Sequence, residues 1–584
     1  KIMKIKHLFG LAVIAAMTAS CSSNEDLGTA GSGTGNNEAG VGYATFTINL
    51  PSTNGTRAGD PTYDQGTAKE YDVNDVTLLI FQKTATSTSE GDYTFVEKAD
   101  LGNMAPWKAE GSHGITASAT ITAKLSNVAL TNEGSTSDYY ALAILNNNAD
   151  ATGAGKVKLP TTGTYSTWND ASNADVAKFT DNTNGFYMAN APVFVAGGEP
   201  TTLVNINRVY ATKQKAETNA ATTIHVERGL AKVSIESDAF PSTITPSGTN
   251  YNEDKVDITA WKLDVTNKST FPIHKTAGLK NTNFSTIWSN TPTTTGASVT
   301  RFVDGDNPSF KRVHWGIDPN YSTALDNLSD CQGAFNVLPA DATIDGAANE
   351  PQYCLENTFD IEHMKQGQTT RVVFKATYTP KGLPAGEKTF YKIGNSTDLW
   401  SEANLIAQIK AKAAEVLSVA SSAITVDLDA TENDIKNNAG TKLLVKENVK
   451  NGGTAVSPAD IAKINEKLGL KAATTTDPIV GIATYKDGES YYIARIKHFG
   501  VLTPWAEGQD TYGTNNEENN TKYLGRYGVL RNNWYELKVG SVSGPGTPDV
   551  PTIKPDVPDD ESFRYISVSV KILSWAKRSD TVDL

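Results

Sequence analysis

Residues 566–572 read Ile, Ser, Val, Ser, Val, Lys, Ile. Apolar and polar side chains alternate strictly, which is the pattern of a strand with one buried face. Five prolines (Pro545, Pro548, Pro551, Pro555 and Pro558) fall within the preceding stretch 543–562. That stretch therefore reads as a linker in extended polyproline II. At roughly 3.1 Å per residue it would reach on the order of 60 Å. A lone strand with an apolar face is unstable in water, so residues 563–584 must enter a sheet, either as an ordinary last strand of their own domain or, as the linker would allow, in another molecule.

The same alternation occurs near the other end of the chain, where Ala44, Phe46, Ile48 and Leu50 share one face of a strand-like run. A polar loop from Pro51 to Pro61 follows and contains Arg57-Ala58. Exposed tips of this kind are where proteases act. An arginine in a loop is ordinarily just a solvated side chain; its position directly after a strand raises the second reading, a cleavage site. Further short alternating runs occupy 75–81, 139–145, 185–190, 224–235, 256–265, 353–361, 370–378, 490–496 and 534–539. Short runs separated by turn residues indicate an all-β chain built from β-sandwiches. A polar stretch before Ile224 suggests a division into 58–223 and 224–542.

One insertion, about 398–470, breaks this pattern. Leu405, Ile406, Ile409, Ala413, Val416 and Leu417 recur at helical spacing. A second helix opens at Ser457-Pro458-Ala459-Asp460, a capping serine followed by proline and an acid, with Gly469 as its stop. A helical cap over the second sandwich accounts for both.

The first twenty residues resemble a targeting segment: Lys4, Lys6 and His7, then an apolar run from Leu8 to Met17, then Thr18-Ala19-Ser20-Cys21. Small residues before a cysteine form a lipobox pattern, which makes Cys21 the expected lipid site and 21–57 a tether with a removable first strand. Cys331 and Cys354 are the remaining cysteines. In an exported chain they could form a disulfide, or remain two buried thiols. Their spacing, like that of the seven histidines, fits no metal site. A net charge of −13 without a basic stripe argues against nucleic acid. No nucleophile elbow, phosphate-binding glycine loop before a helix or paired-histidine motif appears, so no enzyme and no cofactor is expected.

What remains is strand exchange. Two segments with matching apolar spacing, 44–50 and 566–572, compete for one groove. A cut at Arg57 would let the first leave, and the second could fill the vacated groove of another copy by strand addition. Such a head-to-tail contact does not close on itself, so it makes a fibre.

In this order the motifs resemble the major fimbrial subunits (fimbrillins) of Bacteroidales, of the short-fimbria type. The residues that carry the resemblance are Cys21, Arg57-Ala58, Val226–Val233, Tyr353–Thr358, Tyr527–Tyr535, and the ending Val568–Trp575 followed by Val582–Leu584. The resemblance implies two transthyretin-like β-sandwich domains and a lipoprotein held in the outer membrane until cleavage after Arg57 by an Arg-specific protease. It also implies a polymer of identical subunits on the cell surface, with accessory tip and anchor subunits. The donor residues would be Ile566, Val568, Val570 and Ile572, with Trp575 as an anchor. The insertion at 398–470 has no matched counterpart. The competing reading is a lipid-anchored adhesin or glycan-binding lipoprotein that never polymerises, or a fimbrial tip or anchor subunit.

Overall fold

A computed structural model describes residues 41–50, 70, 72–109, 117–148, 155–171, 179, 185–194, 200–237, 239–247, 250–279, 303–304, 311–321, 324–360, 362–474, 478–498, 524–559 and 566–574. The expected signal segment, Cys21, the Arg57-Ala58 loop and Trp575 lie outside these residues.

Strands dominate, as the alternating runs require. The N-terminal sheet is built from β1 (Gly42–Asn49), β2 (Val76–Gln82), β3 (Thr94–Asp100), β4 (Lys108–Ala109), β5 (Ala117–Leu125), β6 (Tyr139–Leu145), β7 (Met188–Asn190), β8 (Val204–Asn205) and β9 (Thr222–Arg228). The order across it is β3-β2-β6-β7-β9-β1-β5-β4, with β8 paired to β6. The sheet folds on itself around one core. Ala44, Phe46 and Ile48 of β1 and Ala119 and Ala123 of β5 pack in one cluster with Leu78 and Ile80 of β2 and Ala141 and Ala143 of β6. The opposite face of β2 is also buried: Leu79 and Phe81 join Tyr165, Trp168 and Tyr187 in a second cluster, which extends to Leu230, Ile273 and Leu355.

The run 224–235, expected as one block, is two strands in two sheets. β9 pairs with β1 and β7, and after Gly229-Leu230 the chain enters β10 (Ala231–Ile235) of the next sheet. Gly229 makes the crossing feasible, since a Cβ there would lie 2.7 Å from the Phe179 ring and 3.0 Å from that of Tyr187.

Beyond this point two sheets enclose a second core. Besides β10, these two sheets contain β11 (Lys255–Asp264), β12 (Gln352–Cys354), β13 (Arg371–Thr379), β14 (Glu489–Arg495), β15 (Asn533–Val542) and β16 (Ile566–Ser574). One sheet has the order β12-β10-β15-β16 and the other β11-β13-β14. Val233, Trp261, Phe374, Tyr378, Tyr492, Tyr535 and Leu537 meet between them. Among the described residues of the expected run 353–361, only Tyr353 and Cys354 are in a strand; Glu356 and Asn357 instead turn into a buried polar network.

The insertion has its own core. Helix α1 (Glu402–Leu417) starts at Ser401, whose hydroxyl accepts the Asn404 amide at 3.3 Å; α2 (Pro458–Lys467) starts at Ser457 in the same way through Asp460, at 3.2 Å. Leu405, Ile409 and Ala413 pack with Ile461 and Ile464 and with Tyr391 and Ile482 of short flanking strands. No helix among the described residues is long and apolar enough to cross a membrane.

One expectation changes, and one open choice, that of Cys331 and Cys354, falls to buried thiols. The stretch 543–562, read as a free linker, is docked on the second body over Ser543–Asp559. Val550 and Ile553 are buried, and backbone bonds join Thr547 to Tyr491 and Gln366 to Val557. Prolines suit this course because a chain lying as a single strap has few ladder amides to offer. Cys331 and Cys354 are both free and buried, in separate apolar clusters. Burial pushes their thiols up to about 11 and about 12, with nearby Asp330 adding to the shift at Cys331.

Candidate strand-exchange site

β1 lies in the interior of its sheet. Eight residue pairs join it antiparallel to β5, from Gly42 opposite Leu125 to Asn49 opposite Ser118. On its other side Phe46–Asn49 run parallel to Thr222–His225 of β9. Its ends are fastened as well. Tyr43 and Tyr210 exchange backbone bonds of 2.8 Å, and the Leu50 amide donates to the Ala117 carbonyl at 2.9 Å.

The alternation decides which side chains hold it. Phe46 and Ile48 are fully buried, and Ala44 and Leu50 nearly so. On the other face Thr45 and Thr47 pair by hydroxyl contacts of 2.8 Å with Thr122 and Thr120 of β5. Burying Phe46, Ile48 and Leu50 is worth roughly 1.5–3 kcal/mol each, an upper bound given a compact unfolded chain. Gly42 marks a close approach: a Cβ there would fall 2.2 Å from Val209 Cγ1.

This placement has a geometric consequence. Without β1, the facing edges of β9 and β5 would stand two strand spacings apart, about 9.6 Å, with unpaired backbone groups on both sides. Because β9 and β5 run antiparallel to each other, any strand entering the slot pairs parallel with one and antiparallel with the other, whichever way it points. The ladders do not choose its direction. The apolar sockets that Ala44, Phe46, Ile48 and Leu50 occupy do.

At the other end of the chain β16 is the outermost strand of its sheet, paired antiparallel to β15. In register, Ile566, Val568, Val570 and Ile572 stand opposite Val542, Val539, Leu537 and Tyr535. Those four residues of β15 are all buried. The strand expected to be a donor is thus seated in its own chain, on a sheet edge, where one ladder holds it.

A buried ionic cluster lies between the two sheet systems, and the sequence pattern did not reveal it. Glu70, the first described residue after the Arg57 loop, is fully buried. Its carboxylate pairs with Lys232 Nζ at 2.8 Å, and its carbonyl accepts from Arg228 Nε at 2.7 Å. Desolvation lowers the Arg228 guanidinium to about 10, against the pull of Glu70. The Lys232 ammonium also sits 3.8 Å from the Trp534 ring centroid. Nearby, Arg531 and Glu356 form a second buried pair that also engages Thr270. Burial opposes ionising Glu356, yet Arg531 holds its carboxyl below the usual range. The alternating motif Val226–Val233 signals strands but not this role for its two cations, since pairing partners 158 and 162 residues away leave no local mark.

Among the described residues no group of three or more His, Cys, Asp or Glu side chains is placed to hold a metal ion. The arrangement holds β1 between two neighbouring strands, with its apolar face in the core.

Residues 483–581 match a family described as major fimbrial subunit protein type IV, fimbrillin, C-terminal, a span that takes in β14, β15 and β16. No curated protein matches the chain. Among solved structures, a candidate cell adhesion protein from Parabacteroides distasonis is 9% identical, with a TM-score of 0.37 over 91% of this chain and 97% of that one. A fimbrilin from Porphyromonas gingivalis is 10% identical, with a TM-score of 0.35 over 93% and 99%. The tip fimbrial protein Mfa3 of the same organism, with a C-terminal truncation, is 10% identical, with a TM-score of 0.24 over 91% and 100%.

Proposed function

We propose, for a chain whose residues 483–581 match the fimbrillin C-terminal family, that it is the structural stalk subunit of a cell-surface fimbria. The precursor is exported as a lipoprotein anchored at Cys21 in the outer membrane. An Arg-specific protease cuts between Arg57 and Ala58, β1 leaves, and the C-terminal strand of an identical subunit fills the slot. The two sandwich domains are 58 to about 229 and 230–542, with the helical insertion in the second. Tip and anchor subunits would complete the fibre.

The observation that carries this reading is the position of β1 between β9 and β5. A strand in the interior of a sheet, followed in the chain by Arg57-Ala58, can be released by one cut without breaking the chain of its neighbours. The slot's two ladders accept a strand in either direction, its sockets require a matching apolar spacing, and Ile566, Val568, Val570 and Ile572 have that spacing. β16 must first give up its own ladder with β15, an exchange of one edge for two.

Arg57→Ala tests the reading. The variant should stay an uncut, lipidated monomer, while the wild type trimmed at Arg57 gives fibres in electron micrographs and an SDS-resistant ladder. Fibres of normal length from Arg57→Ala, or from a chain lacking residues 563–584, would refute it.

A further inference from the structure

A cleft of about 370 Å³ opens where the helical insertion meets the second sandwich. Ligand pockets run from roughly 300 to 1,000 Å³ and favour such junctions. Three segments converge on it: 250–254 and 380–383 from the sandwich, and 397–404 leading into α1. They are tied to one another. The Tyr251 hydroxyl donates to the Thr397 carbonyl at 2.9 Å, joining the sandwich to the start of the insertion. Asp254 accepts the Tyr378 hydroxyl at 2.6 Å through one carboxylate oxygen and the Lys381 amide at 2.8 Å through the other. The third segment is pinned by the ladder between Trp400 and Tyr391 and by the Ser401 cap of α1. The walls are therefore set before any ligand arrives, and a ligand spends little on ordering them.

The lining selects the ligand. Among the described lining residues the carboxylates are Glu253, Asp254 and Asp398, and the one cation, Lys381, is paired with Glu253. That balance disfavours an anion. Both Asp254 oxygens are engaged, and Ser396 Oγ donates to Asp398 at 3.2 Å, so no cluster of free carboxylates remains for a cation. Asn250, Asn252 and Asn404 are exposed in the cleft, and their side-chain amides bond to no other described residue. Half-buried Trp400 lines the same cleft, and its indole Nε1 is shielded without a partner among the described residues, which stability alone does not favour. Amides that both donate and accept suit the neighbouring hydroxyls of a sugar, and an aromatic side chain suits the C–H face of its ring. We propose that this cleft binds a neutral saccharide, so that each copy of the chain carries a glycan site beside its insertion. The site goes beyond the stalk reading and does not depend on it, since none of these residues belongs to β1, its slot or β16.

The test is a glycan array carrying neutral oligosaccharides beside sialylated and sulfated ones, probed with the full-length, uncut chain and followed by titration of the neutral oligosaccharide retained most. The wild type should retain neutral glycans and pass over the charged ones. Asn252→Ala and Asn404→Ala should each weaken the titrated affinity roughly 3- to 10-fold, as expected for losing about one hydrogen bond, with the melting temperature unchanged. Asn395 is exposed and outside the cleft, so Asn395→Ala should bind as the wild type does. The proposal is overturned if no neutral glycan is retained, or if only sialylated or sulfated glycans are. It is equally overturned if Asn252→Ala and Asn404→Ala keep wild-type affinity, or if Asn395→Ala loses as much as they do. Because the probe is the uncut chain, a failure to polymerise has no bearing on the result.

Discussion

A peptide spanning residues 41–50 should rebind protein trimmed at Arg57 and compete with polymerisation, and Phe46→Ala in that peptide should nearly abolish the effect. Phe46 is fully buried among β2, β5 and β9 side chains. Truncating a buried phenylalanine to alanine costs about 3–5 kcal/mol in transfer and cavity terms. At about 1.4 kcal/mol per tenfold, affinity should fall by about 100-fold at the least and over 1,000-fold at the upper figure. The backbone ladder and the cost of ordering the peptide are common to both peptides and cancel in the ratio. Thr47→Ala is the control: its hydroxyl contacts Thr120 in an exposed setting, so its effect should stay within about 0.5 kcal/mol. Titration calorimetry or anisotropy of labelled peptide gives the ratio. If the Phe46→Ala peptide binds within threefold of the native one, the slot is not the apolar groove described here.

Other outcomes follow from single groups. Burial raises the Glu90 carboxyl to about 7 even though the Thr202 and Leu203 amides donate to it, while unfolding returns it to about 4.5. The folded chain therefore holds the proton more tightly, and stability should fall as pH rises from about 4.5 to 7, by on the order of 3 kcal/mol. Glu90→Gln, whose amide oxygen can still accept those bonds, should flatten that slope in thermal unfolding of the N-terminal sheet. His225 acts in the opposite sense: burial, with Arg312 adding to it, lowers it to about 4, so its neutral form supports the fold until pH drops from about 6.5 towards 4. Glu356→Ala leaves Arg531 buried without its carboxylate and should cost about 3–5 kcal/mol, read by urea unfolding. Reducing agent should leave the melting temperature unchanged, and Cys331 and Cys354 should label with thiol reagent only after unfolding.

The two end strands were legible because each alternates strictly and is bounded by turn residues. β5, the antiparallel partner of β1, was not, since Ala117, Ala119 and Ala123 on its inner face give a weak apolar signal. The crossing at Gly229 was hidden because β9 and β10 are both apolar and only pairing assigns them to different sheets. The strap misled for a different reason. Proline marks extended chain, but whether such chain is solvated or docked depends on the tyrosines, arginine and carbonyls it meets, from Gly544 O to Asp559, which sequence spacing cannot place. The helices of the insertion were readable from their serine caps and apolar stripes because those interactions are local.

The most direct test of the account places a photo-reactive residue at Val570, trims the protein at Arg57 and maps the cross-links in the SDS-resistant ladder. The account predicts links from Val570 of one copy to Ala117–Leu125 or Thr222–Arg228 of another. Links confined to Asn533–Val542 of the same chain, where β16 pairs in the monomer, would contradict it.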